Sequence, residues 1–233
     1  MEKNKKIEET VDKAKQTEIV VVLDRSGSMA SISKSTVEGF NSFLNEQQNA
    51  EGEAFITLVQ FDDRYEVDYK SIPVNEAKPL IDGETFKPRG MTALLDAIGK
   101  TVNELETDRD VVFVIITDGD ENASREYQRD AIMNMIKTLE TDKGWYFLFL
   151  GANQDAIAAG GGMGITGNKS FTYSADDIGT ASAFASFSSN ISNYRSAKIN
   201  YAAVHDGDID MQSLSDLKMN LDFSEEQRKE QEK

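Results

Sequence analysis

The side chains most able to do chemistry in this chain carry oxygen. Asp24-Arg25-Ser26-Gly27-Ser28 spaces a carboxylate and two hydroxyls two residues apart, directly after the apolar run Ile19–Leu23. Thr117-Asp118-Gly119-Asp120 follows a second apolar run, Val111–Ile116, in the same way. Between them, Gly90-Met91-Thr92 opens a stretch of helical spacing, so Thr92 sits at or near a helix N-terminus. Softer donors are scarce, with no cysteine and a single histidine, His205. Carboxylate and hydroxyl oxygens alone favour a hard divalent ion in octahedral geometry, Mg2+ or Mn2+. Two carboxylates roughly neutralise such an ion. Neutral hydroxyls leave it able to take one more oxygen, from water or from an incoming ligand.

Those loops need a scaffold that brings them together. Ile19–Leu23, Val111–Ile116 and Trp145–Leu150 are short continuous apolar runs rich in β-branched and aromatic residues. Such runs read as strands buried on both faces, as in a parallel sheet between helices. Phe55–Phe61 is a further strand, and Phe171–Tyr173 a short last one. Tyr65, Val67 and Tyr69 alternate with polar residues, which predicts a half-exposed antiparallel edge strand stopped by Pro73. Apolar residues recur at helical spacing in Val37–Leu44, Leu94–Leu105, Ile132–Leu139 and Ile178–Tyr194. The sum is an α/β fold, a doubly wound and mostly parallel sheet with one antiparallel edge strand. Open sheets of this kind bind ligands beyond the carboxyl ends of their strands, near the point where strand order reverses. If the first and fourth strands are neighbours, all three loops meet there. Gly27 lets the backbone turn between the two serines. The predicted organisation is a polar arm at 1–16, the α/β domain at 17–197, and an acidic, partly ordered tail at 198–233.

VVVLDRSGSM, GMTALLDAI and VFVIITDGDEN together resemble the three loops of a von Willebrand factor type A (vWA) domain. The resemblance spans about 17–197 and implies that family's Rossmann-like fold and its metal-ion-dependent adhesion site (MIDAS). It implies that Ser26, Ser28 and, with ligand bound, Thr92 coordinate the metal directly. Asp24 and Asp118 would hold it mainly through waters. In the family the open position accepts a Glu or Asp side chain of a partner protein. The expected function is thus a non-enzymatic, metal-dependent protein-binding module. Stand-alone intracellular members resemble assembly or scaffolding factors, and the larger members shift their last helix, here Ile178–Tyr194, when the metal gains a carboxylate. The alternative is a metal-dependent phosphate-ester hydrolase using the same ion to activate water. Such enzymes usually carry a second Asp two residues after the first, where this chain has Ser26.

Composition narrows the function classes. Lys and Arg total 25 against 41 Asp and Glu, a net charge of −16. Phosphates are repelled by such a chain, which argues against nucleic acid and anionic membrane as partners. No apolar run reaches the ~18 residues of a membrane span, and the N-terminus has no signal core. A cytoplasmic location is expected; the oligomeric state is not readable. Asp120, Glu121 and Asp155 are read as solvated rim residues, and Arg25 as a surface arginine. Asp206, Asp208 and Asp210 imitate the start of an EF-hand loop. Met211 and Leu217 stand where that loop needs glycine and glutamate. Gly162–Gly167 fits a dinucleotide fingerprint formally, yet follows a short helix instead of a strand, so it is read as a flexible loop.

Overall fold

The computed structural model describes residues 16–153, 155–205 and 209–229. The expected N-terminal arm therefore lies, but for its last residue, outside the described residues, as do Asp206 and Asp208. Six strands form one sheet: β1 (Thr17–Asp24), β2 (Ala54–Phe61), β3 (Tyr65–Pro73), β4 (Asp110–Thr117), β5 (Tyr146–Ala152) and β6 (Ser170–Tyr173). Their order is β3-β2-β1-β4-β5-β6, parallel throughout except for β3, which runs antiparallel to β2 at one edge. This is the α/β class expected from the sequence. The strand order reverses between β1 and β4, so the carboxyl ends of those two strands lie side by side.

Strand parity explains the layers. Ile19, Val21 and Leu23 share one face with Val112, Val114 and Ile116. That face packs on α1 (Ser33–Asn49) through Phe40, Phe43 and Leu44, and on α5 (Asp177–Val204) through Phe184, Phe187 and Ile191. Val20, Val22, Phe113 and Ile115 point the other way. They meet α2 (Leu94–Glu104) through Leu94 and Ile98, and α3 (Arg129–Lys143) through Ile132 and Ile136. A short α4 (Ala156–Gly161) precedes β6. Burying both faces of β1 and β4 is what makes their sequences continuous apolar runs instead of alternating ones.

Two expectations need amending, at Ile178 and at the end of the last long helix. Ile178, placed on the apolar stripe, is 84% exposed at the first turn of α5. The edge strand ends at Pro73 as expected, with a register shift on the way and Ser71 at φ 51. The last long helix runs through residue 197, the expected domain end, to Val204. It does so because its charged residues are buried with partners. Arg195 donates to the Gln47 backbone and side-chain oxygens at 2.8 and 2.9 Å and to the Gly52 carbonyl at 2.8 Å. Lys198, 1% exposed, donates to Thr17 Oγ1 at 2.8 Å and to Asp110 at 3.1 Å.

Part of the segment read as tail also belongs to the core. After α6 (Met211–Leu217) comes a 3-10 turn, Lys218–Leu221. Lys218 Nζ pairs with Asp110 Oδ1 at 2.5 Å, so one buried carboxylate holds two lysines. Leu221 and Phe223 are buried, and the Phe223 ring centre lies 4.8 Å from that of Phe171. A last short helix, α7 (Glu225–Lys229), follows. No helix among the described residues is long and apolar enough to cross a membrane.

Candidate metal centre

At the β1 end, Asp24 is fully buried and both its oxygens are engaged. Oδ1 accepts the Ser26 N–H at 2.6 Å, and Oδ2 accepts the Thr117 hydroxyl at 2.5 Å. The first bond curls the chain so that the Ser26 and Ser28 hydroxyl oxygens stand 3.0 Å apart. Ser28 donates in turn to Asp118 Oδ1 at 2.6 Å, closing the link to β4. Four of the five expected residues thus form one hydrogen-bonded chain across the β1–β4 boundary.

Thr92 joins them from the second loop. A Cβ on Gly119 would stand 2.9 Å from Thr92 Oγ1 and 3.5 Å from Ser28 Oγ, so both hydroxyls border the same point. Only glycine leaves that space open. The Thr92 N–H donates to Asn122 Oδ1 at 2.9 Å, and the Thr92 carbonyl accepts the Asn122 and Ala123 N–H groups at 3.0 and 3.1 Å. The second and first loops are tied by Gly27 N–H to the Gly90 carbonyl at 3.2 Å and Arg89 N–H to the Arg25 carbonyl at 2.9 Å. Gly90 has φ +69, and a Cβ there would lie 2.1 Å from an Asp63 carboxylate oxygen, so the position demands glycine. Gly27 has no such φ. A side chain there would instead press on the Gly90 carbonyl, 3.3 Å away.

Two residues assigned to the surface are structural parts of the site. Arg25 is 5% exposed, with Nε 3.2 Å from Asp62 Oδ2 and a terminal nitrogen 2.7 Å from Glu66 Oε1. Arg89 meets the same two carboxylates at 2.7 and 2.5 Å. This four-membered ion cluster braces the first loop against the end of β2 and the second loop. The Arg25 hydrogen bond, with Arg89 beside it, pulls the Glu66 carboxyl down to about 2. Glu121 is half-buried and caps α2. It accepts the Leu95 N–H at 2.9 Å and the Ser124 N–H and hydroxyl, each at 2.7 Å. Asp120 and Asp155 are exposed as expected, and Asp155 caps α4 by accepting the Ala158 N–H at 3.0 Å.

Electrostatics mark the site as one that lacks positive charge of its own. Burial pushes the Asp24 carboxyl up to about 6, against the lowering hydrogen bonds from Thr117 and Ser26. Burial also raises Asp118, against the Ser28 hydrogen bond. Among the described residues no group of three or more His, Cys, Asp or Glu side chains gathers as a metal cage. The donors here are two carboxylates and three hydroxyls. That set fits a hard divalent ion, and the separation of the two serine oxygens is compatible with one. At metal–oxygen distances of about 2.0–2.1 Å, adjacent ligands of an octahedron stand roughly 2.9 Å apart, against 3.0 Å between the two serine oxygens.

No protein-family model and no curated protein sequence matches this chain. Solved structures do. Proximal thread matrix protein 1 from the mussel byssus superposes with a TM-score of 0.56 at 14% identity, over 74% of this chain and 45% of that one. The same protein with a zinc-occupied MIDAS motif gives 0.55 at 15% identity, over 75% and 45%. The ArnB paralog VWA2 from Sulfolobus acidocaldarius gives 0.53 at 16% identity, over 76% and 45%. A von Willebrand factor type A protein from Catenulispora acidiphila gives 0.55 at 13%, over 77% and 43%. The chain spans less than half the length of these proteins. Identities this low speak to architecture alone, and the architecture they share with this chain is the vWA-like fold.

Proposed function

We propose that this chain is a non-enzymatic protein-binding module whose contact with its partner runs through a divalent cation, Mg2+ or Mn2+. The observation that carries the reading is the hydrogen-bonded chain from the buried Asp24 through Ser26 and Ser28 to Asp118, with the Thr92 hydroxyl bordering Ser28 across Gly119. In this reading Ser26, Ser28 and Thr92 hold the ion directly, and Asp24 and Asp118 do so mainly through waters. A zinc-occupied MIDAS motif in a protein of similar fold supports it. A bound divalent ion supplies a positive Lewis acid that a Glu or Asp side chain of a partner can join. The chain's own residues set up that junction. Asp24 and Asp118 provide the charge that retains a cation, and Thr117 and the Ser26 N–H fix the orientation of Asp24. The Arg25–Asp62–Arg89–Glu66 cluster keeps the loops in register. A carboxylate entering a partly dry cleft gains a strong charge interaction there. The net charge of −16 opposes an acidic partner at long range, but screening over about 8 Å at physiological salt leaves the local ion in control.

Hydrolysis through an aspartyl nucleophile suits the site less well. Asp24 is fully buried, with each oxygen already accepting a hydrogen bond, and Ser26 stands where an acid/base aspartate would be needed. The test is capture of partner protein by the immobilised chain in Mg2+, in chelator, and in Mg2+ restored after chelator. Capture that follows the metal and disappears in Asp24→Ala/Ser26→Ala supports the proposal. Capture indifferent to both sinks it. Turnover of an aryl phosphate that vanishes in Asp24→Asn would favour hydrolysis.

A further inference from the structure

Beside the metal centre lies a cavity of about 270 Å3 that the proposed function leaves unused, and Gly119 is part of its lining. A Cβ on Gly119 would stand 2.9 Å from Thr92 Oγ1 and 3.5 Å from Ser28 Oγ, so cavity and site share that one residue as a wall. A partner segment whose carboxylate joins an ion on those hydroxyls therefore passes beside the cavity. Leu94, Phe149 and Met163, all buried, supply an apolar lining. Asp120, Asp155 and Arg129 line it from exposed positions, and the half-buried Glu121 joins them. Three carboxylates thus stand against one guanidinium. The fold leaves that excess unmet. The Asp120 side chain has no hydrogen bond or ion pair among the described residues, and Arg129 pairs with none of these acids. Asp155 engages one oxygen, at 3.0 Å from the Ala158 N–H. A bound divalent ion offsets Asp24 and Asp118, but the negative excess of the cavity remains.

We infer that this cavity is a second anchor point for the partner, taking a Lys or Arg side chain close in sequence to the Glu or Asp that joins the ion. The inference rests on the metal-binding reading above and adds which acidic segments the module accepts. The volume lies below the roughly 300–1,000 Å3 of small-molecule sites, so it suits a single side chain. A long basic side chain matches the lining, with an apolar stem against Leu94, Phe149 and Met163 and a charged head at Asp120 and Asp155. It also answers the net charge of −16, since a basic residue beside the acid removes the long-range repulsion that an acidic segment alone would meet.

The experiment selects a displayed library of random peptides on the immobilised full chain in Mg2+, elutes with chelator and sequences the pool. Two variants run beside the parent. Asp120→Asn/Asp155→Asn removes the charge, and asparagine keeps the cap on α4. Ala158→Trp fills the cavity from an exposed helix position. The parent pool is expected to carry a Glu or Asp with a Lys or Arg within a few positions. Both variants should keep the acid and lose the basic preference. In a recovered peptide, replacing the basic residue with alanine should weaken binding to the parent about fivefold and leave binding to the double variant unchanged. An acid without a basic neighbour, a second acid drawn to Arg129, or a basic preference that survives in both variants overturns the inference while the metal-binding reading stands. A chelator-eluted pool with no enriched acid removes both.

Discussion

Replacing Asp24 with asparagine should make the metal-free protein more stable, although it destroys the proposed function. Burial raises this carboxyl from 3.8 to about 6. A folded-state value above the unfolded one means that the group's contribution is fully present below about pH 3.8. It is lost as pH rises through about 6. At 1.36 kcal/mol per unit, the charged form costs the fold roughly 3 kcal/mol at pH 7. Asparagine removes the charge and keeps the bonds. Its oxygen still accepts the Ser26 N–H, and its amide donates to Thr117 Oγ1, whose own proton turns to the Gly119 carbonyl 3.1 Å away. Urea unfolding in chelator should therefore find Asp24→Asn more stable than the parent at pH 7, with the gap closing toward pH 4. With Mg2+ at about 100 times its dissociation constant, the parent alone should gain about 2.7 kcal/mol. The reasoning is refuted if Asp24→Asn is the less stable protein at pH 7 in chelator, or if the gap ignores pH.

Other substitutions probe separate parts of the structure. Gly119→Ala sets a methyl 2.9 Å from Thr92 Oγ1. Calorimetry should show Mn2+ binding weakened by about tenfold or more, as expected when a ligand is displaced, with the fold retained by circular dichroism. Asp110→Asn leaves Lys198 and Lys218 buried without a counter-charge. Denaturant unfolding should report a loss of about 3–5 kcal/mol, while Mn2+ affinity, set at the opposite end of the sheet, should not change. Phe223→Ala removes a ring packed on Phe171 and should cost about 3–5 kcal/mol in the same assay.

The apolar runs made the sheet legible. Val111–Ile116 and Ile19–Leu23 are buried on both faces, so their sequences carry no alternation, and that fixed their central place. The three loops were legible because hydroxyl and carboxylate types recur after strands that end beside each other. Charged residues were the blind spot. Arg25 reads as a surface arginine, yet it is buried, and Arg195, Lys198 and Lys218 are likewise buried by partners distant in sequence. Arg25 meets Asp62 and Glu66, and Lys218 meets Asp110, 108 residues away by the numbering. Such pairings leave no periodic trace. For the same reason the domain's expected end at 197 misses the rest of α5 and the core residues Leu221 and Phe223. Glu121 was hidden in the same way, since the helix it caps offers it the Leu95 N–H from 26 residues away.

Mn2+ titration of the full chain, followed by electron paramagnetic resonance, tests the central claim most directly. One equivalent should bind saturably, give way to excess Mg2+, and be lost in Ser26→Ala/Asp118→Ala. An absence of saturable binding, or a site that survives in the double variant, would contradict the account.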